Sequence, residues 1–198
     1  MARPREFEID EALEQAMRVF WAKGYEAASL HDLIEAMGLS KSSLYRAFGS
    51  KHELFLSTID HYVRTITVRR AAALIAEGSD VRSGITSLFN GFLEDILCQH
   101  ERLGCFLNNC AVEVAAGDPA AAKRVEAGLA HLAETFHDAV RRGRATGEIP
   151  VESDPRALAR YLTSSLHGLI VMAKLKPDRQ ALEDVTRIVL SALSDRHR

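Results

Sequence analysis

Only three of the 198 residues are cysteine: Cys98, Cys105 and Cys110. An odd number cannot all pair with one another, and none forms a C-x-x-C unit, so neither a disulfide framework nor a zinc or dithiol motif has support. The eight histidines are scattered, without H-E-x-x-H or a Cys/His ligand spacing, so no metal site and no cofactor is expected. No nucleophile elbow or phosphate loop is present either, which argues against an enzyme. Long apolar runs are also missing. Nothing approaches the roughly 18 residues that span a bilayer, and Met1-Ala2-Arg3-Pro4-Arg5-Glu6 lacks the apolar stretch of a signal peptide. The expectation is a cytoplasmic protein with no membrane partner. There is no excess of charge of one sign: 25 Lys and Arg stand against 27 Asp and Glu, a net −2. Total charge therefore says nothing for nucleic acid, and its distribution along the chain has to be read instead.

What is present is helical periodicity from end to end, in a chain that is 47% apolar and 26% charged, as in ordinary globular proteins. The few prolines and glycines fall at joints. The expectation is an all-α fold of about nine helices. Ile9, Leu13, Ala16, Met17 and Phe20 stripe a first helix that ends at Lys23-Gly24. Ser29 with Asp32 has the spacing of a capping box, followed by Leu30, Leu33, Ile34 and Met37 on a short second helix that Gly38 stops. Ser40 caps a third, about Lys41 to Phe48. Ser50 and Glu53 open a fourth, with Leu54, Phe55, Ile59, Tyr62 and Ile66 on one side, running to about Glu77-Gly78. Five more follow: about Val81 to Cys98; about Leu103 to Ala116; from Asp118-Pro119 to Gly147; from Asp154-Pro155 to about Lys174; and one after Pro177-Asp178.

The informative segment is SLHDLIEAMGLSKSSLYRAFGSKHEL, Ser29 to Leu54. Each of its two short helices is marginal alone. In tandem, with apolar faces against a preceding amphipathic helix, they make a helix-turn-helix whose second member is offered to a DNA major groove. Residues 1–51 carry seven Lys and Arg against eight Asp and Glu, but Gly38 to His52 holds Lys41, Arg46 and Lys51 and no acid. The acids gather on the first helix, away from any phosphate. The domain division expected is 1–52 for DNA binding, about 6–66 in the manner of the family below, and 53–198 for a helical effector-binding and dimerisation bundle.

The run FWAKGYEAASLHDLIEAMGLSKSSLYRAFGSKHELF resembles the DNA-binding region of the TetR family of bacterial repressors. It is similar at Phe20, Gly24-Tyr25, Ser29, Leu33, Ile34, Gly38, Ser40, Leu44-Tyr45, Phe48, Lys51 and Leu54, over roughly the first third of the chain. The resemblance implies a DNA-binding transcriptional regulator, a repressor released from a palindromic operator by a small-molecule effector. The alternatives are an activator, or a cysteine-based redox or electrophile sensor, using the same motif. It implies that Lys41, Ser42, Ser43 and Arg46 face the groove, that Tyr45 and Lys51 meet phosphates, and that Ser29 and Ser40 belong to the same DNA-binding set. Arg3 and Arg5 form either a basic arm or a plain tail. Where the family often has histidine, this chain has Ala47.

For the remainder, the resemblance implies a homodimer in which the last two helices pair with their copies. The interface expected is Leu158, Leu162, Ser165, Gly168, Leu169, Val185 and Val189. Gly168 costs a helix about 1 kcal/mol against alanine, which a close helix crossing would explain, within the chain or between copies. An effector pocket is expected among Phe89, Phe92, Cys105, Phe106, Asn109, Glu113, Phe136 and His167, where polar residues amid aromatics suit a ligand site. Core packing explains the aromatics equally well. Gly104-Cys105-Phe106-Leu107-Asn108-Asn109 resembles a stretch in a branch of the family where some members sense through cysteine. Reactivity needs an accessible, thiolate-favouring site, and Arg102 is the nearby cation; a buried inert cysteine is the other reading.

Overall fold

The computed structural model describes residues 3–75, 80–98, 103–175 and 178–194; the side chains of residues 3–8, 73–75 and 96 lie outside the described set, and with them those of Arg3 and Arg5, as do Arg102 and Glu77-Gly78 entirely. Among the described residues there is no strand. In chain order the helices are α1 (Arg3–Lys23), α2 (Leu30–Met37), α3 (Lys41–Phe48), α4 (Lys51–Tyr62), α5 (Val68–Ile75), α6 (Val81–Cys98), α7 (Phe106–Glu113), α8 (Pro119–Thr146), α9 (Pro155–Leu175) and α10 (Arg179–Ser191). A π-turn, Val63–Thr67, joins α4 to α5. The helical backbone thus continues beyond Tyr62 as expected, but with an inserted π-turn, the kind of irregularity that favours functional sites. Counting this stretch as one helix gives nine among the described residues.

The boundaries follow from the capping chemistry. At α2 the Ser29 hydroxyl accepts the Asp32 N–H at 3.1 Å, and the Asp32 carboxylate accepts the Ser29 N–H at 2.9 Å. Gly38 closes the helix with φ +63°. Ser40 and Ser50 cap α3 and α4 through the N–H groups of Ser43 and Glu53. α7 is shorter than its periodicity suggests, because Gly104 takes φ +71° and holds residues 103–105 out of the helix.

The chain forms two compact units. One comprises residues up to Ile66 together with Phe106–Gly128; the other comprises Thr67–Cys105 and the chain from Leu129 on. In the first, Leu13, Ala16, Met17 and Phe20 of α1 pack with Leu33, Leu44, Leu54, Phe55 and Ile59, all buried. Ile9, placed in that stripe by the sequence, is 41% exposed. Aromatic edges knit α7 into this core. Phe106 lies 6.3 Å from Phe55, 5.6 Å from Tyr62 and 6.1 Å from Trp21, centroid to centroid. Gly128 on α8 permits a close approach, since a Cβ there would sit 2.7 Å from Val63 in the π-turn and 2.8 Å from Leu107.

In the second unit, Ile85, Leu88, Phe89 and Leu93 of α6 share a core with Phe136 and Val140 of α8, Leu162, Leu166, Leu169 and Ile170 of α9, and Leu182 and Val189 of α10. Asp80 caps α6 through the Ser83 and Arg82 N–H groups. Its hydrogen bond from the Ser83 side chain, then the Glu148 side chain, lowers its pKa to about 2. A folded-state pKa below the unfolded value of about 3.9 stabilises the fold above that value, and the contribution is lost as pH falls through the folded pKa. Thermal melts between pH 4 and 2 are therefore expected to show a falling midpoint. Asp80→Asn, which keeps the cap but not the charge, should flatten that dependence; an unchanged slope would remove Asp80 from the account.

Candidate nucleic-acid interface

α3 is eight residues long and has one buried side chain, Leu44, which pins it to the first unit. Everything on its opposite side is open. Lys41, Ser42, Tyr45, Arg46 and Ala47 are exposed and Ser43 is half-buried, with Tyr45 at 40%. The serines are linked. The Ser40 hydroxyl lies 3.0 Å from those of Ser42 and Ser43, and Arg46 donates to Ser43 Oγ at 3.4 Å. The helix therefore presents hydroxyls and a guanidinium with no acid on α3 itself, a face suited to acceptor-rich base edges and phosphates.

The flanking groups are also ordered. Lys51, half-buried in the first turn of α4, holds its ammonium 4.5 Å from the Tyr25 ring centre. Ser29 is committed to its capping box, its hydroxyl also donating to Asp32 at 2.8 Å. Lys23 bonds Asp32 at 2.7 Å; that contact first, then the Ser29 backbone, holds the Asp32 carboxyl well below the usual carboxylate range. Two acids of α1 are engaged with α4 and the turn after it. Asp10 takes Arg64 at 2.8 Å, and Glu14 lies 3.1 Å from buried His61.

The residues expected to share an effector pocket are divided between the two units. Phe106, Asn109 and Glu113 belong to the first. Phe106 is core, and Glu113 is exposed, accepting the Glu26 N–H at 3.1 Å. In the second, Phe89 and Phe136 are buried with ring centres 6.1 Å apart, Cys105 is buried, and Phe92 carries the Arg70 guanidinium at 4.3 Å. His167 has both ring nitrogens shut from solvent and unpaired, and burial pushes its pKa down. Cys98 is exposed and Cys110 buried.

Phe89 and Phe92 line a crevice with Leu166, Leu169, Leu182 and Thr186, but its volume is about 10 Å³, too small for an effector. Thr186 is 4% exposed and its hydroxyl has no partner among the described residues. Thr186→Val is expected to stabilise the chain by about 1 kcal/mol, roughly 2–4 °C in melting temperature, by removing an unpaired buried hydroxyl; a lower midpoint in a thermal melt would contradict this. The larger opening, about 640 Å³, runs along α8 past His131, Glu134, Thr135, Asp138, Arg141 and Arg142. Its signal in the sequence is a set of polar residues recurring at three and four along a helix.

The residues expected at the dimer interface fall into two sets. Leu158, Leu162, Leu169 and Val189 are buried within the single chain, so they have little surface to give a second copy. Ser165 is half-buried, while Gly168 and Val185 lie on the open side. That side of α9 carries Tyr161, Val171, Met172 and Leu175, and α10 adds Ile188, all exposed. A Cβ at Gly168 would meet nothing within 4 Å, so no crossing among the described residues accounts for this glycine.

Comparison with known proteins agrees with this geometry. Residues 12–58 match the family of bacterial regulatory proteins described as the tetR family, and residues 84–189 match the tetracyclin repressor-like C-terminal domain. A helix-turn-helix-type transcriptional regulator of Bacillus subtilis strain 168, YezE, is 33% identical over 194 residues, 98% of this chain and all of that protein. The transcriptional repressor ComR of Escherichia coli K12 is 33% identical over 174 residues, 87% of this chain and 82% of ComR. Among solved structures, a cysteine-substituted form of the TetR family regulator CifR, complexed with a 26-base-pair operator, is 33% identical with a TM-score of 0.80, over 93% of this chain and 96% of that one.

Proposed function

The chain belongs to the TetR family of bacterial regulatory proteins and is a DNA-binding transcriptional regulator rather than an enzyme, and we propose that it is a homodimeric repressor released from a near-palindromic operator by a small-molecule effector. The observation that carries the DNA-contact reading is the acid-free exposed face of α3, held by Leu44 and ordered by its serines. In this reading Lys41, Ser42, Ser43 and Arg46 enter the major groove, with Ser40 at the cap. Tyr45, Lys51 and the N–H groups opening α4 meet phosphates. Ser29 contributes by fixing α2 through its cap.

The second copy is proposed to cover the open face of α9 and α10, centred on Gly168, Met172 and Ile188, so that two recognition helices reach successive major grooves. Of the residues expected to line an effector site, His167 is proposed as the polar contact: kept neutral by burial, it can both donate and accept. Effector binding acts by favouring a state whose recognition helices are wrongly spaced, so that affinities for effector and operator are reciprocally coupled. The repressors among the relatives support the sign of regulation.

The test is selection from a randomised duplex library by the full-length protein. A two-fold repeated consensus is expected, retained at physiological salt. Recovery of sequence-indifferent duplexes would defeat the reading. A reporter driven by the recovered site, in cells with and without the protein, fixes the sign; lower expression without the protein would reject repression.

A further inference from the structure

The segment Phe106–Gly128 belongs to the same compact unit as the helix-turn-helix, and two contacts from its corner fall on either side of α2 and α3. On the near side, α1 closes at Gly24, where φ is +81°. Glu113 reaches this turn. It accepts the Glu26 N–H at 3.1 Å, and its carboxylate oxygens lie 2.7 and 2.8 Å from where a Gly24 Cβ would stand. Any side chain at residue 24 would expel that carboxylate. On the far side, Asp118 Oδ2 lies 2.6 Å from His52 Nε2, in the first turn of α4. The other oxygen, Oδ1, accepts the Ala120 and Ala121 N–H groups at 3.0 Å each and caps α8. Between the two contacts lies Tyr25, edge-on to His52 at 6.3 Å and beneath the Lys51 ammonium.

We propose that the corner formed by residues 113–118 is a brace that sets the angle of the helix-turn-helix, with Glu113 and Asp118 as positioning residues for operator recognition. Residues 26 and 52 bracket α2 and α3, so one rigid corner fixes where the reading head begins and where it ends. Both contacts involve a carboxylate, which makes them stronger than neutral hydrogen bonds. The chemistry is divided by oxygen atom, and this gives the inference its test. Serine at 118 can still cap α8 but has no second oxygen for His52. Glutamine at 113 keeps an acceptor for Glu26, whereas alanine does not.

The brace rests on the operator reading above, and the experiment separates the two. The wild-type protein selects its duplex from the randomised library; that duplex is then remade with the half-site spacing one base pair longer and shorter. The double variant Glu113→Ala, Asp118→Ser is expected to lose about ten-fold or more in affinity for the selected duplex, the equivalent of one charged hydrogen bond in the affinity balance. It should also lose its preference among the three spacings. Helicity, melting temperature and binding to random duplex should stay close to wild type, and the single variant Glu113→Gln should keep the spacing preference. A double variant with undiminished spacing preference overturns the brace, as does affinity that falls only in step with loss of fold. If the wild type itself selects no duplex, the operator reading fails first, and the brace with it.

Discussion

Replacing Met172 and Ile188 together with aspartate is expected to give a folded monomer that no longer holds operator DNA. The two side chains are 51% and 60% exposed in the single chain, so charge there costs the isolated fold little. Across a two-fold interface the same residues occur twice, and four carboxylates would have to be desolvated without partners. Losing the second copy removes half of the DNA contacts and the effective concentration that links the two half-sites, worth roughly a hundred- to ten-thousand-fold in apparent affinity. Sedimentation analysis beside a gel shift reads both quantities. Leu162→Ala is the contrasting variant. Leu162 is fully buried inside the chain, so its truncation should cost about 2–5 kcal/mol of stability while leaving the association constant of the remaining folded protein unchanged. A Met172→Asp, Ile188→Asp protein that still sediments as a dimer would place the interface elsewhere.

This contrast also shows what the sequence could and could not disclose. The boundaries of α2, α3 and α4 were legible almost to the residue, because their determinants are local: Ser29, Ser40 and Ser50 cap, Gly38 stops a helix, and Leu33, Met37 and Leu44 supply buried anchors. α9 was legible as a helix but not as a two-sided one. Leu158, Leu162, Leu166 and Leu169 make one apolar stripe, and Tyr161, Gly168, Met172 and Leu175 make another about a third of a turn away. Periodicity alone could not say which stripe the chain keeps for itself. The π-turn at Val63–Thr67 left no mark because its residues are ordinary helix formers and β-branched ones. Glu113 illustrates a different gap. Its partner is a backbone N–H 87 residues away in sequence, and no spacing rule reaches that far. The same holds for His52 and Asp118 and for the close approach at Gly128.

Arg46→Ala and Lys51→Ala should separate base reading from phosphate holding. Arg46 is exposed on α3 and tethered to Ser43, so its guanidinium is held along the face proposed to enter the groove. A side chain that reads a base edge is worth about 1–3 kcal/mol per half-site; with two copies per operator, Arg46→Ala is expected to cost roughly thirty- to twenty-thousand-fold on the selected duplex and far less on random duplex. Specificity at the contacted base pair should relax while the salt dependence changes little. Lys51 sits at the start of α4, its ammonium over Tyr25, beside backbone N–H groups suited to an anion. Its loss should weaken specific and random duplex alike and lower the slope of log affinity against log salt by about one per copy. The two profiles are opposite in kind. A uniform loss for Arg46→Ala, with unaltered sequence preference, would move Arg46 from the groove to the backbone and leave Lys41, Ser42 and Ser43 as the base-reading residues of α3.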